Sequence, residues 1–232
     1  MRQAQRWMLG ALLVGLGGFA LVATDDLLKG PIYQADVPVN NEVSSLQDQG
    51  FPAHQVGNVL TQFGNSWTVA ALTAVAAAWM FWKRQWILAL WAIGIALATG
   101  AVLTGLKQVF QRVRPQDSPA HGYSFPSGHT LAAMAAVGAL IILSTETYRR
   151  GRDPGAHHRF TMRQVWGFAL ALAGTIGVLT ALGRVLVQAH WMSDVLASLL
   201  IGLGLAGGIL LALSRTAPGG ETGPKAPPPA TP

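Results

Sequence analysis

Three short polar segments between residues 107 and 194 contain the side chains whose types and spacing could do chemistry. The first holds two cations and a proline, the second reads Pro-Ser-Gly-His, and the third holds an arginine, a histidine and an aspartate. The residues are Lys107, Arg114, Pro115, Pro126, Ser127, Gly128, His129, Arg184, His190 and Asp194. Three cations, two imidazoles and one carboxylate suit phosphoryl transfer, in which negative charge must be clamped and protons must be moved.

The cations of this set are the predicted phosphate-binding residues. The transition state of phosphoryl transfer spreads negative charge over three equatorial oxygens, which Lys107, Arg114 and Arg184 can clamp. A guanidinium matches phosphate oxygens with a planar fork of N–H groups. Ser127 and Gly128 stand where a helix is expected to begin, and free N–H groups at a helix start also bind anions.

The two histidines and the aspartate are the predicted catalytic residues. His190 and Asp194 are four residues apart, so they share one face of a helix. Asp194 can then accept a hydrogen bond from one ring nitrogen of His190 and orient the other nitrogen toward phosphorus. His129 remains to protonate the leaving oxygen.

The elements that must position these segments are predicted to be membrane helices. Hydrophobic residues make up 51% of the 232-residue chain and charged residues only 11%, against about 25% charged in soluble domains. Six apolar runs approach the length of about 20 residues that a spanning helix needs. They are residues 7–23, 66–82, 86–106, 129–147, 165–183 and 193–213. The predicted fold is all-α, a polytopic bundle of six transmembrane helices with an outward-facing site at the helix ends.

The distribution of Lys and Arg predicts the orientation, because cytoplasmic loops carry the excess of these residues. With the N-terminus inside, the inner residues are Arg2, Arg6, Lys83, Arg84, Arg149, Arg150, Arg152, Arg159, Arg163, Arg215 and Lys225. The outer residues are Lys29, Lys107, Arg112, Arg114 and Arg184. The bias predicts a multi-pass protein of a cytoplasmic membrane. Both termini are expected to be cytoplasmic, and the three polar segments to face the periplasm or exterior.

Some features lie outside this pattern. Residues 7–23 could instead be the core of a signal peptide, because Arg2 and Arg6 precede it and Ala23 closes it. Residues 24–65 are predicted to be an outer loop with a short helix at 56–63, and Arg112 and Asp117 to be surface charges. Residues 1–216 then form the membrane domain, including active-site segments 107–129 and 184–194. The Pro-rich tail 217–232 is expected to be disordered and cytoplasmic.

The three segments resemble the motifs of the type 2 phosphatidic acid phosphatase superfamily, also called lipid phosphate phosphatases. The pattern of that family is Lys-x6-Arg-Pro, then Pro-Ser-Gly-His, then Ser-Arg-x5-His-x3-Asp. The sequence matches all three motifs in order, from Lys107 to Asp194. It departs from the pattern at Gly183, where the family has Ser, and this puts one hydrogen bond to phosphate in doubt.

The resemblance implies roles that agree with the chemistry of the residues. His190 would form a phosphohistidine oriented by Asp194, and His129 would be the general acid. Lys107, Arg114, Ser127, Gly128 and Arg184 would hold the phosphate, and the family needs no metal or other cofactor. The implied partners are membrane lipids and a lipid phosphate or diphosphate, such as undecaprenyl diphosphate, phosphatidylglycerol phosphate or phosphatidic acid.

Other functions remain open on the sequence alone. A lipid phosphotransferase would use the same phosphoenzyme with another hydroxyl in place of water. A non-catalytic anion-binding membrane protein would need the cations but not the His–Asp pair. Vanadium haloperoxidases share the motifs, but six spans count against them. The net charge of +6 does not indicate nucleic acid, because the basic residues fall at the ends of apolar runs.

Overall fold

The computed structural model describes residues 3–116, 118–150 and 162–216. All the regular elements in these ranges are helices, which confirms the predicted all-α class. They are α1 Gln3–Leu28, α2 Pro31–Asp48, α3 Ala53–Thr61, a 3₁₀ turn Gln62–Gly64, α4 Ser66–Trp82, α5 Trp86–Phe110, α6 Gly128–Arg150, α7 Met162–Leu186 and α8 Met192–Thr216. The predictions for Asp117 and for the tail 217–232 concern residues outside the described ranges.

Each of the six apolar runs lies within one helix: α1 and α4 to α8. Three stretches among the described residues are long and apolar enough to cross a membrane, namely Gln5–Leu28, Trp86–Phe110 and Met192–Ala212. Shorter apolar helices cover Gly128–Leu140 and Leu170–Leu186. The chain is therefore a membrane protein, and six spans remain a prediction.

The helices form a bundle around α6, which packs against α4, α5, α7 and α8. Leu131, Ile142 and Leu143 of α6 are fully buried. On the far side of α8 lies α1, and these two helices approach so closely that a Cβ added to Gly15 would lie 2.3 Å from the backbone nitrogen of Gly204. The first apolar run is therefore packed into the bundle along α8.

The segment 24–65 differs from the predicted loop, because it contains α2 as well as the helix expected near 56–63. Asp25 holds the start of α2 by accepting hydrogen bonds from Ile32 N at 3.4 Å and Tyr33 N at 2.8 Å. The other end docks on the loop after α7, where Gln188 Nε2 donates to Ser44 Oγ at 2.8 Å. The helix α2 was not predicted because its composition is polar and because Pro38, a poor helix former, lies inside it.

Candidate active site

The three polar segments meet at one end of the bundle. Lys107 lies in the last turn of α5, the Pro-Ser-Gly-His tetrapeptide leads into α6, and His190 lies in the short connection between α7 and α8. The Lys107 ammonium donates hydrogen bonds to the carbonyl of Tyr123 and, at 3.3 Å, to that of Ser124. The end of α5 is thereby tied to the loop that precedes α6.

The His190 ring is held by Asp194 as predicted, although His190 lies two residues before the start of α8 and not on its face. Nδ1 of His190 lies 3.3 Å from Oδ2 of Asp194, and the same oxygen accepts a hydrogen bond from Trp191 N at 2.9 Å. Both side chains are buried, with 3% of His190 and none of Asp194 exposed. A buried carboxylate with two donors on one oxygen fixes the plane of the imidazole.

The other ring nitrogen of His190 faces Arg114. Nη1 of Arg114 lies 3.1 Å from Nε2 of His190. Since a guanidinium can only donate, Nε2 must be the acceptor, and the ring proton must then sit on Nδ1 toward Asp194. This tautomer leaves a lone pair on Nε2, which is the form a nucleophilic histidine requires.

The remaining donors of Arg114 are used by backbone carbonyls. Its Nε donates to Gly122 at 2.9 Å, Nη2 donates to Tyr123 at 3.2 Å, and Nη1 also contacts the Ala189 carbonyl. Arg114 thus ties the loop before α6 to the loop before α8. In contrast, Nε of Arg184 is buried and has no hydrogen-bond partner in the described part of the chain, which leaves a donor available for an anion.

The Pro-Ser-Gly-His segment starts α6, but the Ser127 amide does not point to an open site. Ser127 N donates to the Asp194 carbonyl at 3.2 Å, and the Ser127 hydroxyl bonds to Thr130 Oγ1 at 3.1 Å. The first backbone bond of the helix joins Leu131 N to Ser127 O. The amides of residues 128–130 form the open first turn, so the anion-binding end of the helix begins at Gly128.

Burial and the neighbouring cations together keep the His190 ring neutral. Burial lowers the pKa of His190 well below 6.5, and Arg114, Arg184, Lys107 and His129 lower it further. His190 therefore stays neutral at and below neutral pH. Burial also lowers the pKa of Arg114, and Asp194 opposes that shift. The three cations and His129 are thus close enough to the His190 ring to act on its charge.

Arg112 is not a surface charge, so that prediction is wrong. Its side chain is buried and pairs with three carboxylates, those of Asp26, Asp36 and Asp194. Local sequence gave no signal for this cluster, because Asp36 and Asp194 lie 76 and 82 residues from Arg112. Asp26 lies within a helix long and apolar enough to cross a membrane. An acid in such a position often has a functional role, and the three motifs do not include it.

An apolar groove of about 640 Å³ opens beside His129. It follows α4, α5 and α6 away from the polar end of the bundle, with Gly128 and His129 at that end and Ala77 and Ala136 at the other. Its walls are small or aliphatic side chains such as Ala74, and Gly100 leaves part of the α5 wall without a side chain. Within the described ranges, no three His, Asp or Glu residues are grouped so that they could hold a metal ion.

The packing around Gly183 accounts for the glycine at the motif position where the family has serine. A Cβ on Gly183 would lie 2.7 Å from the Gly57 carbonyl oxygen and 2.9 Å from Thr61 Cγ2. Reciprocally, a Cβ on Gly57 would lie 2.8 Å from the Gly183 carbonyl oxygen. The helix α3 therefore packs directly on α7 beside Arg184, and a serine at position 183 has no room.

Known proteins resemble this chain in sequence and in fold. Lipid A 1-phosphatase of Porphyromonas gingivalis is 32% identical over 113 residues, which are 48% of this chain but only 20% of that protein. Phosphatidylglycerophosphatase B of Bacillus subtilis is 26% identical over 156 residues, 65% of this chain and 70% of that protein.

A solved structure shares the architecture. The crystal structure of a transmembrane PAP2-type phosphatidylglycerolphosphate phosphatase from Bacillus subtilis superposes with a TM-score of 0.70 at 21% sequence identity. The superposition covers 90% of this chain and all of that chain. The sequence model of the PAP2 superfamily matches residues 87–217, a range that includes all three polar segments. The chain belongs to the PAP2 superfamily.

Proposed function

We propose that the protein is a membrane phosphatase that hydrolyses a lipid phosphate or diphosphate through a phosphohistidine at His190. The observation that carries the proposal is the His190 ring itself. Its Nδ1 is held by Asp194 and its Nε2 faces a cation that can only donate. The names of two relatives, lipid A 1-phosphatase and phosphatidylglycerophosphatase B, support a phosphorylated lipid as the substrate class.

The proposed reaction has two steps. In the first, the Nε2 lone pair of His190 attacks phosphorus, the bond from phosphorus to the lipid oxygen breaks, and His129 gives that oxygen a proton. In the second, His129 accepts a proton from a water that attacks phosphorus, and the bond to Nε2 breaks to release inorganic phosphate. Asp194 stabilises the positive ring of the phosphohistidine through the proton on Nδ1.

The proposed phosphate site uses donors that are free or exchangeable. Arg184 Nε has no partner among the described residues, and the amides of the first turn of α6 have no intrahelical acceptor. Arg114 Nη1 can donate to a phosphate oxygen in place of His190 Nε2. This change of acceptor would free Nε2 as the substrate binds. Lys107 adds charge from the end of α5.

The groove beside His129 supports a lipid rather than a soluble phosphate ester. Its lining is mostly apolar, and its polar end is the site of the proposed general acid. A phosphate at His190 would place the hydrocarbon part of the same molecule along α4, α5 and α6. Undecaprenyl diphosphate, phosphatidylglycerol phosphate and phosphatidic acid all have this form, and a phosphate-release panel in detergent would rank them.

Two glycines of α5 provide a matched test of the groove. An added Cβ meets no heavy atom within 4 Å at either Gly100 or Gly94, but only Gly100 lines the groove. We expect Gly100→Leu to lower kcat/KM for a lipid phosphate by about tenfold or more, because each excluded methylene removes about 0.8 kcal/mol of burial. Hydrolysis of a short soluble phosphate ester should not change, and Gly94→Leu should change neither rate.

The outcomes separate the parts of the proposal. Equal loss of lipid and soluble turnover in Gly100→Leu would show a general defect rather than a blocked lipid site. Unchanged lipid turnover would mean that the hydrocarbon chain lies elsewhere. Absence of phosphate release by the wild-type protein from every lipid in the panel would contradict the phosphatase itself.

A further inference from the structure

Arg112 occupies the centre of a buried ionic cluster behind the proposed nucleophile. Its Nη1 lies 3.1 Å from Oδ1 of Asp194 and 3.0 Å from Oδ1 of Asp26, and its Nη2 lies 2.5 Å from Oδ2 of Asp36. Only 7% of the Arg112 residue is exposed. The three acids come from three different helices, α1, α2 and α8, so the guanidinium joins these helices at the catalytic end of the bundle.

The two oxygens of Asp194 have separate partners. Oδ2 receives Nδ1 of His190 and the amide of Trp191, whereas Oδ1 receives Arg112. Rotation of the carboxylate would break the contact with Arg112 as well as the contact with His190. Arg112 therefore holds the carboxylate in the rotamer that directs Oδ2 to the imidazole, and its positive charge offsets part of the cost of burying that carboxylate.

Asp36 fixes the start of the helix that carries Asp194. Its Oδ1 accepts from Ser193 N at 2.9 Å, and its Oδ2 accepts from Ser193 Oγ at 2.6 Å as well as from Arg112. This is a side-chain cap of the first turn of α8, supplied from α2. The guanidinium is also covered by the rings of Tyr33 and Trp191, whose centroids lie 4.6 and 5.7 Å from its central carbon.

We propose that Arg112 positions Asp194 for its work on His190, and that the acids of α1 and α2 hold Arg112 there. The inference rests on the proposed function for its kinetic consequence. Asp26 and Asp36 lie outside residues 87–217, the part of the chain that matches the superfamily model. The N-terminal helices thus belong to the catalytic machinery through one buried cation, although neither acid reaches His190.

A double-mutant cycle tests whether Arg112 acts through Asp194. We expect Arg112→Gln to lower kcat/KM by about 10- to 100-fold, the range of one lost charge-assisted hydrogen bond. In the Asp194→Asn background the same change should cost less than about twofold, because the carboxylate that Arg112 positions is gone. Arg112→Lys should recover part of the loss, and Lys83→Gln, which removes an exposed cation from the connection between α4 and α5, should leave the rate unchanged.

Asp36→Asn serves as the second variant, because it keeps the shape of the side chain and removes its charge. It should also cost less in the Asp194→Asn background than in the wild type. Equal factors in both backgrounds, for Arg112→Gln and for Asp36→Asn alike, would overturn the inference. A purely structural role predicts such additivity together with a lower melting temperature.

The hydrogen bond from His190 Nδ1 to Asp194 gives a readout that does not need turnover. In protein with ¹⁵N-labelled histidine, the signals lost in His190→Gln identify the ring. We expect a downfield Nδ1–H proton signal in the wild type and in Lys83→Gln, and an upfield shift of that signal in Arg112→Gln, because the carboxylate is no longer held toward the ring. An unchanged Nδ1–H signal in Arg112→Gln would overturn the inference. If the wild-type protein releases no phosphate from any lipid, the proposed function fails, and the Nδ1–H signal still decides the role of Arg112.

Discussion

At the scale of single residues, the contact between Arg114 and His190 defines the resting state of the site. The Arg114 guanidinium donates to Nε2, the nitrogen that we propose attacks phosphorus, at 3.1 Å. An incoming phosphate oxygen is a stronger acceptor than a neutral imidazole, because hydrogen bonds between charged groups are roughly twice as strong. In the proposed mechanism, a phosphate oxygen therefore replaces His190 Nε2 as the acceptor of the Arg114 N–H group, and the same replacement frees Nε2 to attack.

The His190–Asp194 pair leads to the first prediction. His190→Ala should lower phosphate release by at least about 10³-fold, because no other group can form the covalent intermediate. Asp194→Asn should lower it by about 10²- to 10⁴-fold, since an amide can donate to Nδ1 and favour the wrong tautomer. Phosphate release is the measurement, and both proteins should insert and fold. Near-normal turnover by His190→Ala would contradict a nucleophilic His190.

The pH dependence of kcat/KM gives the second prediction. Neutral His190 is the nucleophile, and its pKa is held well below 6.5 by burial and by Arg114 and Arg184. The neutral form is thus lost only when the pH falls below the lowered pKa, so the acid limb should lie below pH 6.5. Arg184→Gln removes one of the cations and should move the acid limb upward, toward 6.5.

The control for this shift is Lys83→Gln, which removes an exposed cation that is not among the groups lowering the His190 pKa. Its acid limb should coincide with that of the wild type. An acid limb at or above pH 6.5 in the wild type, or no upward shift in Arg184→Gln, would contradict a nucleophile whose pKa is depressed by the cations around it.

At the scale of helices, the packing of α3 on α7 explains why this chain lacks the serine of the third motif. The backbone carbonyls of Gly57 and Gly183 would each lie less than 3.0 Å from a Cβ at the other position. Two glycines therefore let α3 approach the turn of α7 that carries Arg184. A serine side chain at position 183 is incompatible with this helix–helix contact.

The third prediction is that restoring the motif should harm the protein. Gly183→Ser places a side chain against the Gly57 carbonyl, and overpacking of this kind costs about 1–3 kcal/mol. It should lower the melting temperature in detergent and also kcat/KM, because α7 must shift and Arg184 is the next residue. Gly174→Ser on the same helix meets no heavy atom within 4 Å and should do neither. A fully active and equally stable Gly183→Ser variant would contradict this prediction, because α3 would then be able to move away from α7 at little cost.

The sequence predicted those elements whose pattern lies within one continuous segment, and missed those that depend on distant residues. Hydropathy located the six apolar helices, because a helix in lipid must satisfy its backbone within one continuous apolar segment. The motif spacing predicted the contact between His190 and Asp194, although His190 precedes α8 and the helix geometry assumed for the pair is absent. The helix α2 was not predicted because its composition is polar and includes Pro38. The cluster around Arg112 was not predicted because its members lie 76 or more positions apart in the sequence.

At the scale of the whole molecule, the predicted site residues all lie at one end of the bundle. That end combines the C-terminal ends of α5 and α7 with the N-terminal ends of α6 and α8, and α2 covers it. The connection between α4 and α5, with Lys83 and Arg84, lies at the opposite end. Which end faces the cytoplasm decides which leaflet supplies the substrate, and the Lys and Arg bias predicts that the catalytic end faces out.

The last prediction tests this orientation, and the absence of cysteine from the sequence makes the test free of background. Gln116 lies in the loop between α5 and α6 at the catalytic end, and Gln3 lies at the start of α1 at the other end. Both side chains are exposed, so Gln116→Cys and Gln3→Cys are a matched pair. A membrane-impermeant maleimide should label Gln116→Cys in spheroplasts and spare Gln3→Cys.

After permeabilisation both cysteines should react with the maleimide. Labelling of Gln3→Cys alone in intact spheroplasts would mean that the bundle is inverted and that the site opens to the cytoplasm. A Gln3→Cys protein that never reacts and has lost about 2 kDa would instead indicate cleavage after the first apolar run, as for a signal peptide of 15–30 residues. Cleavage directly after the first apolar run would leave Asp26 on the mature chain, beside Arg112. Only cleavage beyond residue 26 would remove this acid from the cluster around Arg112.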